Sequence, residues 1–296
     1  MTKELNSLSS QTLALLLNFQ KMEENGSAIY QRIAEREKDE TNKATLLRIA
    51  AEEKRHAQMW QHYTGKEVKP DRFQLFWYTL LSYILGYTFV IKLMEGSEVL
   101  GKEALEGLEN DFPEARFIMD QEQEHEERLI EILDEERLQY VGAMVLGLND
   151  ALVELTGTIA GLTFALANTR LVALSGIITG VSATLSMAAS NYLAERADGN
   201  QKALKSSLYT GVAYLVTVVL MVLPFLLLPE DQYLLALIIM LVTVIVIIFC
   251  FTYYISVAKS LPFFQRFGEM AVISLSVAVI SFFIGLLAKR FLGIDI

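Results

Sequence analysis

The chain is poor in the residues that carry most redox and zinc chemistry. Its 296 residues include one cysteine, Cys250, and three histidines, His56, His62 and His125. A single thiol excludes an intrachain disulfide framework, a CxxC redox pair and any cysteine-held iron–sulfur or zinc site. Proline is scarce as well: residues 1–140 contain only Pro70 and Pro113, and no stretch of useful length alternates apolar and polar residues as a strand would. There is no basic tract, and the formal net charge is −10. That argues against nucleic acid as a partner, because phosphate contacts need clustered Lys and Arg. The opening residues, Met1-Thr2-Lys3-Glu4-Leu5, lack the basic-then-apolar pattern of a cleaved signal, so a cytosolic N-terminus is expected.

Charge is what the second half lacks. Residues 1–140 hold 17 basic and 27 acidic side chains (17 − 27 = −10), whereas residues 141–296 hold 8 of each. Five apolar segments occupy that half, at about Val141–Ala167, Leu171–Leu193, Leu208–Leu228, Tyr233–Val257 and Met270–Ala288. Each is near the ~20 residues that cross a bilayer, and backbone in lipid must satisfy itself, so five membrane helices are expected. The positive-inside rule favours N-in, C-out, with Arg137, Arg196, Lys202, Lys205, Lys259 and Arg266 inside against Arg170, Lys289 and Arg290 outside. Gly157-xxx-Gly161 and Gly176-xxx-Gly180 permit close helix approach, either within one bundle or between subunits. Asp150 and Glu154 lie one turn apart on the first span. Carboxylates at that depth normally face a partner or a watery path, although Asp150 is near enough to the segment's start to reach headgroups. Met187 and Asn191, one turn apart on the second span, offer a thioether and an amide to the same path, and a thioether favours softer transition metals. Glu269, just before the last segment, reads as an acid capping a helix start.

The first half is rich in helix formers. Four helices are expected: about Ser10–Lys38, about Thr41–Tyr63 ended by Gly65, about Phe73–Glu109, and one starting at Pro113. Two of the three histidines follow a glutamate by three residues, in Glu53-Lys-Arg-His56 and Glu122-Gln-Glu-His125. At that spacing both side chains leave one helix face and can grip a common ion. His62 has Met59 at the same spacing and serves as an internal control. The first helix adds Glu23, two turns before Tyr30, and the third adds Glu95 and Glu98. One Glu from each of two helices plus Glu-xx-His from each of two others is the ligand set of di-iron and di-manganese carboxylate bundles. Carboxylate oxygens with two imidazoles suit Fe²⁺ or Mn²⁺.

Glu23 with Tyr30, Glu53-xx-His56, Glu95-xx-Glu98 and Glu122-xx-His125 resemble the ferritin-like, specifically rubrerythrin-like, di-iron pattern over about residues 10–135. In that family the extra glutamate, matching Glu95 or Glu98, lets one iron change ligands with redox state. Gly147-Leu-Asn-Asp-Ala-Leu-Val-Glu154, Gly161-Leu and Ser186-Met-Ala-Ala-Ser-Asn-Tyr192 resemble the vacuolar iron transporter family over about residues 138–292. There the residues matching Asp150 and Met187 line a translocation path at a homodimer interface. The fusion in this order resembles the membrane-bound ferritins of prokaryotes, associated with iron export. The resemblance implies an all-α protein in which a cytosolic ferritin-like four-helix bundle, residues 1–137, precedes a five-helix transmembrane bundle, residues 138–296, in the cell membrane. One departure stands out: the family usually has glutamate where this chain has Asn191. A neutral amide can coordinate a metal but cannot take up a proton. The family's eukaryotic members also carry a long acidic insert after the second span, and the link here, about Ala194–Ser207, is too short for one.

These residues point first to a homodimeric transporter that collects Fe²⁺ or Mn²⁺ in the bundle and moves it out of the cytosol through Asp150, Glu154, Met187 and Asn191, with proton exchange as the driving force the resemblance implies. The alternative is a membrane-anchored di-iron ferroxidase or peroxidase. Iron storage would need a closed shell that five spans per chain oppose, and a bundle that gates the pore by metal occupancy is a further option. The segment Phe73–Ile91 carries no charge over nineteen residues and by length could cross a bilayer. A crossing would put the first two helices on the opposite side from the fourth and dismantle the site. The first part of a long third helix, buried in a dimer contact or resting on the membrane surface, is expected instead.

Overall fold

The structure, a computed structural model, describes residues 9–109, 111–132 and 140–292, the side chains of 97–104, 130–132, 288, 289 and 292 excepted. The described residues form ten helices and no strand, in two compact units, Met1–Glu135 and Glu136–Ile296. Arg137 and the boundary expected at 137–138 lie outside the described residues.

In the first unit, α1 (Ser10–Ala34), α2 (Glu40–Thr64), α3 (Arg72–Ile84), α4 (Tyr87–Glu106) and α5 (Pro113–Ile132) follow one another. Local chemistry sets their ends. Ser9 caps α1 by accepting from the Thr12 N–H at 3.0 Å, and Asp39 caps α2 by accepting from Thr41 and Asn42 at 2.9 Å. The first helix stops at Ala34 rather than Lys38 because the Glu37 carboxylate captures the Lys38 and Asp39 N–H groups, and Asp39 then opens α2. The third helix, expected as one rod over Phe73–Glu109, is two. The chain breaks at Leu85–Gly86, where Gly86 has φ 95, a conformation open to a residue without Cβ. The antiparallel α1–α2 hairpin and α5 close on a core of Leu16, Phe19, Trp60, Tyr63, Phe112, Ala115 and Ile118, with the Phe19 and Trp60 rings stacked at 5.8 Å.

The second unit holds α6 (Val141–Leu166), α7 (Thr169–Ala197), α8 (Ala203–Leu227), α9 (Tyr233–Ala258) and α10 (Phe263–Leu292). All five are long and apolar enough to cross a membrane. Leu152, Leu155 and Ile159 of α6 form a buried core with Tyr214, Val218 and Met221 of α8 and Met240, Val244 and Ile248 of α9. Apolar side chains gain little from packing in lipid, so close backbone approach carries the association. The glycine pairs settle inside the chain rather than between subunits: a Cβ on Gly157 would lie 2.8 Å from Val277, one on Gly176 3.1 Å from Val222, and one on Gly285 would strike the Gly161 carbonyl. Glu269 lies within α10, beside Arg266 at 3.6 Å and accepting from Gln265 at 3.1 Å. It is a surface pair and not a cap, because the helix already starts at Phe263.

The crossing of α6 and α10 yields a direct test. Gly285→Val is expected to force the two helices apart and to lower the melting temperature of the detergent-purified protein by several degrees, from an overpacking cost of about 1–3 kcal/mol. Gly268→Val, on the same helix with nothing within 4 Å of the added carbon, is expected to leave melting unchanged. Equal melting of the two variants would rule out the crossing.

Candidate metal centre

Two glutamate–histidine pairs and one further glutamate meet inside the first unit. Glu53 and His56 project from α2, Glu122 and His125 from α5, and Glu23 from α1. His56 is fully buried and His125 nearly so. The two rings stack face to face, with centroids 5.8 Å apart and 25° between planes. Each turns Nδ1 toward carboxylates. His56 Nδ1 is 3.1 Å from Glu122 Oε1 and 3.4 Å from Glu23 Oε2. His125 Nδ1 is 3.3 Å from Glu53 Oε1 and 3.4 Å from Glu122 Oε2. Glu122 therefore presents one oxygen to each histidine. His56 Nδ1, His125 Nδ1 and Glu122 Oε1 are all buried and make no well-aligned hydrogen bond; their polar neighbours are one another and the adjoining carboxylates at 3.1–3.4 Å, an arrangement a cation at the centre would satisfy. Glu23, Glu53, His56 and Glu122 each offer a ligand atom within 4.8 Å of the others. Among the described residues this is the one such group of His, Cys, Asp and Glu.

The far side of each ring is held by a residue that spacing did not single out. His125 Nε2 is 2.9 Å from the Glu52 carboxylate, and His56 Nε2 is 3.0 Å from the Gln121 carbonyl oxygen. The residue before each glutamate of one helix thus holds the histidine of the other. Because these oxygens accept, Nε2 carries a hydrogen and Nδ1 is left to ligate. Arg48, at 3.1 Å, and the His125 ring prevail over burial to hold the Glu52 carboxyl below its ordinary range. Gly26 on α1 makes room for the site: a Cβ there would sit 2.9 Å from Glu53 Oε2. The sequence signal for Glu52 and Gln121 is their position immediately before each Glu-xx-His.

Electrostatics follow from crowding acids around two imidazoles. Burial works against charge on His56, but the Glu122 and Glu23 carboxylates prevail and push it up to about 11. His125 is likewise raised to about 10 by Glu122 and Glu53. For Glu122, burial is overcome by His125 and His56, which hold it down at about 2. Burial, joined by the Glu122 and Glu23 charges, lifts Glu53 well above the ordinary carboxylate range, and burial raises Glu23 too. The cluster stores protons that a cation would displace.

Glu95, on α4, pairs with Lys92 at 2.7 Å and is not among the four converging residues. The Glu98 side chain lies outside the described residues. The control, His62, is exposed and packs edge-on against Tyr63.

In the membrane-type unit, Asp150 and Glu154 share one face of α6, Asp150 half-buried and Glu154 exposed. Glu154 accepts from the Tyr214 hydroxyl of α8 at 3.0 Å, a partner that sequence reasoning missed. Met187 packs at the edge of the membrane core. The Asn191 amide donates to Ser206 at 3.1 Å and Thr210 at 3.0 Å, and Ser206 in turn donates to Glu195 at 2.9 Å. Asn191 thereby joins α7 to α8.

Residues 141–201, covering α6 and α7, match the VIT family. Together with the five apolar helices, the match supports a vacuolar iron transporter-type membrane domain. Asp150, Glu154, Met187 and Asn191 all fall inside it. No curated protein and no solved structure matches the chain.

The proton load of the cluster has a measurable consequence. At pH 7 both histidines lie below their raised pKa values and carry protons, which a metal ion must expel. Titrating the detergent-purified protein with Mn²⁺ in weak buffer is expected to acidify the solution, and Mn²⁺ affinity is expected to rise from pH 6 to pH 8. Binding without proton release would rule out His56 and His125 as ligands. Glu52→Ala is expected to weaken Mn²⁺ binding by about 10- to 100-fold through loss of the His125 support, measured by calorimetry.

Proposed function

We propose that the chain is a metal transporter that collects Fe²⁺, or Mn²⁺, in its N-terminal helical unit and moves it out of the cytosol through its membrane domain. The observation that carries this reading is the VIT-family match over 141–201, which contains the only acids within the first two apolar helices short of their ends, Asp150 and Glu154. A carboxylate pair at membrane depth is costly and is the usual mark of an ion path. Two acids one turn apart, one held by Tyr214, supply oxygen ligands for a cation. Asn191 can contribute no proton, and its amide is committed to Ser206 and Thr210, so any proton exchange falls to Asp150 and Glu154. Glu154 lies exposed on a membrane helix, which favours a homodimer in which a second copy covers it.

In the first unit, Glu23, Glu53, His56, Glu122 and His125 would hold the metal, with Glu95 or Glu98 as the further candidate from the third helix. The buried nitrogens and oxygen that make no well-aligned hydrogen bond fit such a site, and carboxylate-rich sites of this composition suit Fe²⁺ or Mn²⁺. Bound iron would supply one-electron chemistry. The chain's own part is to orient both rings through Glu52 and Gln121 and to keep the centre dry. The Glu122 carboxylate spanning both histidines favours a second reading, in which O₂ or peroxide from solution would accept the electrons of Fe²⁺ as it is captured.

Fe²⁺ flux in proteoliposomes separates these roles. Asp150→Ala is expected to lower flux at least tenfold while leaving Mn²⁺ binding at the N-terminal site intact, and Glu53→Ala is expected to abolish that binding. Full flux in Asp150→Ala would remove the residue from the path. Deleting residues 1–135 discriminates delivery, in which flux falls, from gating, in which flux rises.

A further inference from the structure

Helix α3 is turned inside out. Its polar side faces the bundle: Asn25 of α1 donates to Gln74 at 2.7 Å and accepts from the Asp71 N–H at 2.7 Å, Arg32 reaches Thr79 at 3.3 Å, and Arg36 reaches the buried Ser82 at 2.8 Å. Its aromatic side faces outward. Phe73, Phe76 and Trp77 are 71%, 58% and 43% exposed and touch one another edge-on, with centroids 6.0 and 5.9 Å apart. Positions 73, 76, 77 and 80 form one stripe at helical spacing. A helix of a water-soluble bundle buries that stripe, and an exposed aromatic patch marks an interaction surface.

Three occupants fit such a stripe in principle, and geometry removes one. Thirteen residues at 1.5 Å each reach about 20 Å, short of the ~30 Å hydrocarbon core, and the helix breaks at Leu85–Gly86. It does not cross. A second copy is poorly served, because a helix face about 20 Å long and 10 Å wide presents about 200 Å², against roughly 800 Å² per partner in a stable dimer. A bilayer needs no such area. The five apolar helices of the same chain would tether the segment covalently to a bilayer, so docking there would be intramolecular in effect. Phe, Trp and Tyr are the residues that settle at the headgroup level. Exposed Lys66, Lys69 and Arg72 lead into the helix. Of the acids among them, Asp71 is committed to capping α3 and to Lys21 at 3.8 Å, which leaves Glu67 against three cations facing anionic lipid.

We propose that α3 is an interfacial membrane helix: Phe73, Phe76 and Trp77 insert at the headgroup boundary while Gln74, Thr79 and Ser82 tie it to α1. The chain has two tryptophans, and the other, Trp60, is fully buried, so Trp60→Phe leaves Trp77 as a sole reporter. The full-length protein, metal-free, would be placed in vesicles of zwitterionic and anionic phosphatidyl lipids. Trp77 fluorescence is expected to be blue-shifted and quenched several-fold more by lipids with a nitroxide near the headgroup than by aqueous acrylamide. Strong acrylamide quenching without lipid quenching overturns the proposal by leaving the stripe in water. Protection from both, with crosslinking between copies, overturns it in favour of a protein partner. Should Trp60→Phe fail to fold, a nitroxide on Phe76→Cys in a Cys250→Ser background reads the same depth: collision with oxygen exceeding collision with a water-soluble nickel chelate supports insertion, and the reverse refutes it.

Discussion

Three carboxylates and two imidazoles are crowded into one largely buried space, and the architecture of the N-terminal unit answers to that crowding. Ligand oxygens and nitrogens within 4.8 Å of one another set unit charges at separations where each like pair costs on the order of 3–4 kcal/mol at an effective dielectric near 20. Where no cation sits there, protons relieve that repulsion: the carboxylates push His56 and His125 up, and burial with the Glu122 and Glu23 charges lifts Glu53. With one, the protons leave. The long α1–α2 hairpin and the Phe19–Trp60–Phe112 core give the rigidity that keeps such groups from relaxing into water, and Gly26 opens the space that Glu53 fills.

The same demand, in a drier medium, organises the membrane domain. Some of its polar groups are tied across helices: Glu154 to Tyr214, and Asn191 to Ser206 and Thr210. The rest is association by close packing, with Gly161 and Gly285 letting α6 and α10 approach until carbonyl meets α-carbon. What distinguishes α6 is that its acids are not fully enclosed. Asp150 is half-buried and Glu154 exposed, and both lie within the stretch that matches the VIT family.

Helix α3 inverts the usual division of labour between the two faces of a helix. Its hydrogen bonds to Asn25, Arg32 and Arg36 substitute for the apolar contacts that normally fasten a helix to a bundle, and this frees the aromatic side for another solvent. The break at Gly86 separates that short helix from α4, where Phe89, Val90 and Ile91 are buried in the ordinary way.

Much of this was legible in one dimension. Runs of about 20 apolar residues demand helices in lipid, and all five spans stand where such runs lie. The Glu-xx-His spacing fixes both side chains to one helix face, and Glu53, His56, Glu122 and His125 do converge. Spacing cannot say which face meets which neighbour. The support of His125 by Glu52 and of His56 by Gln121, the pairing of Glu95 with Lys92, the intrachain seat of the glycine pairs and the inversion of α3 were decided only when helices packed against one another. Periodicity is a property of one helix, whereas each of those contacts is a property of two.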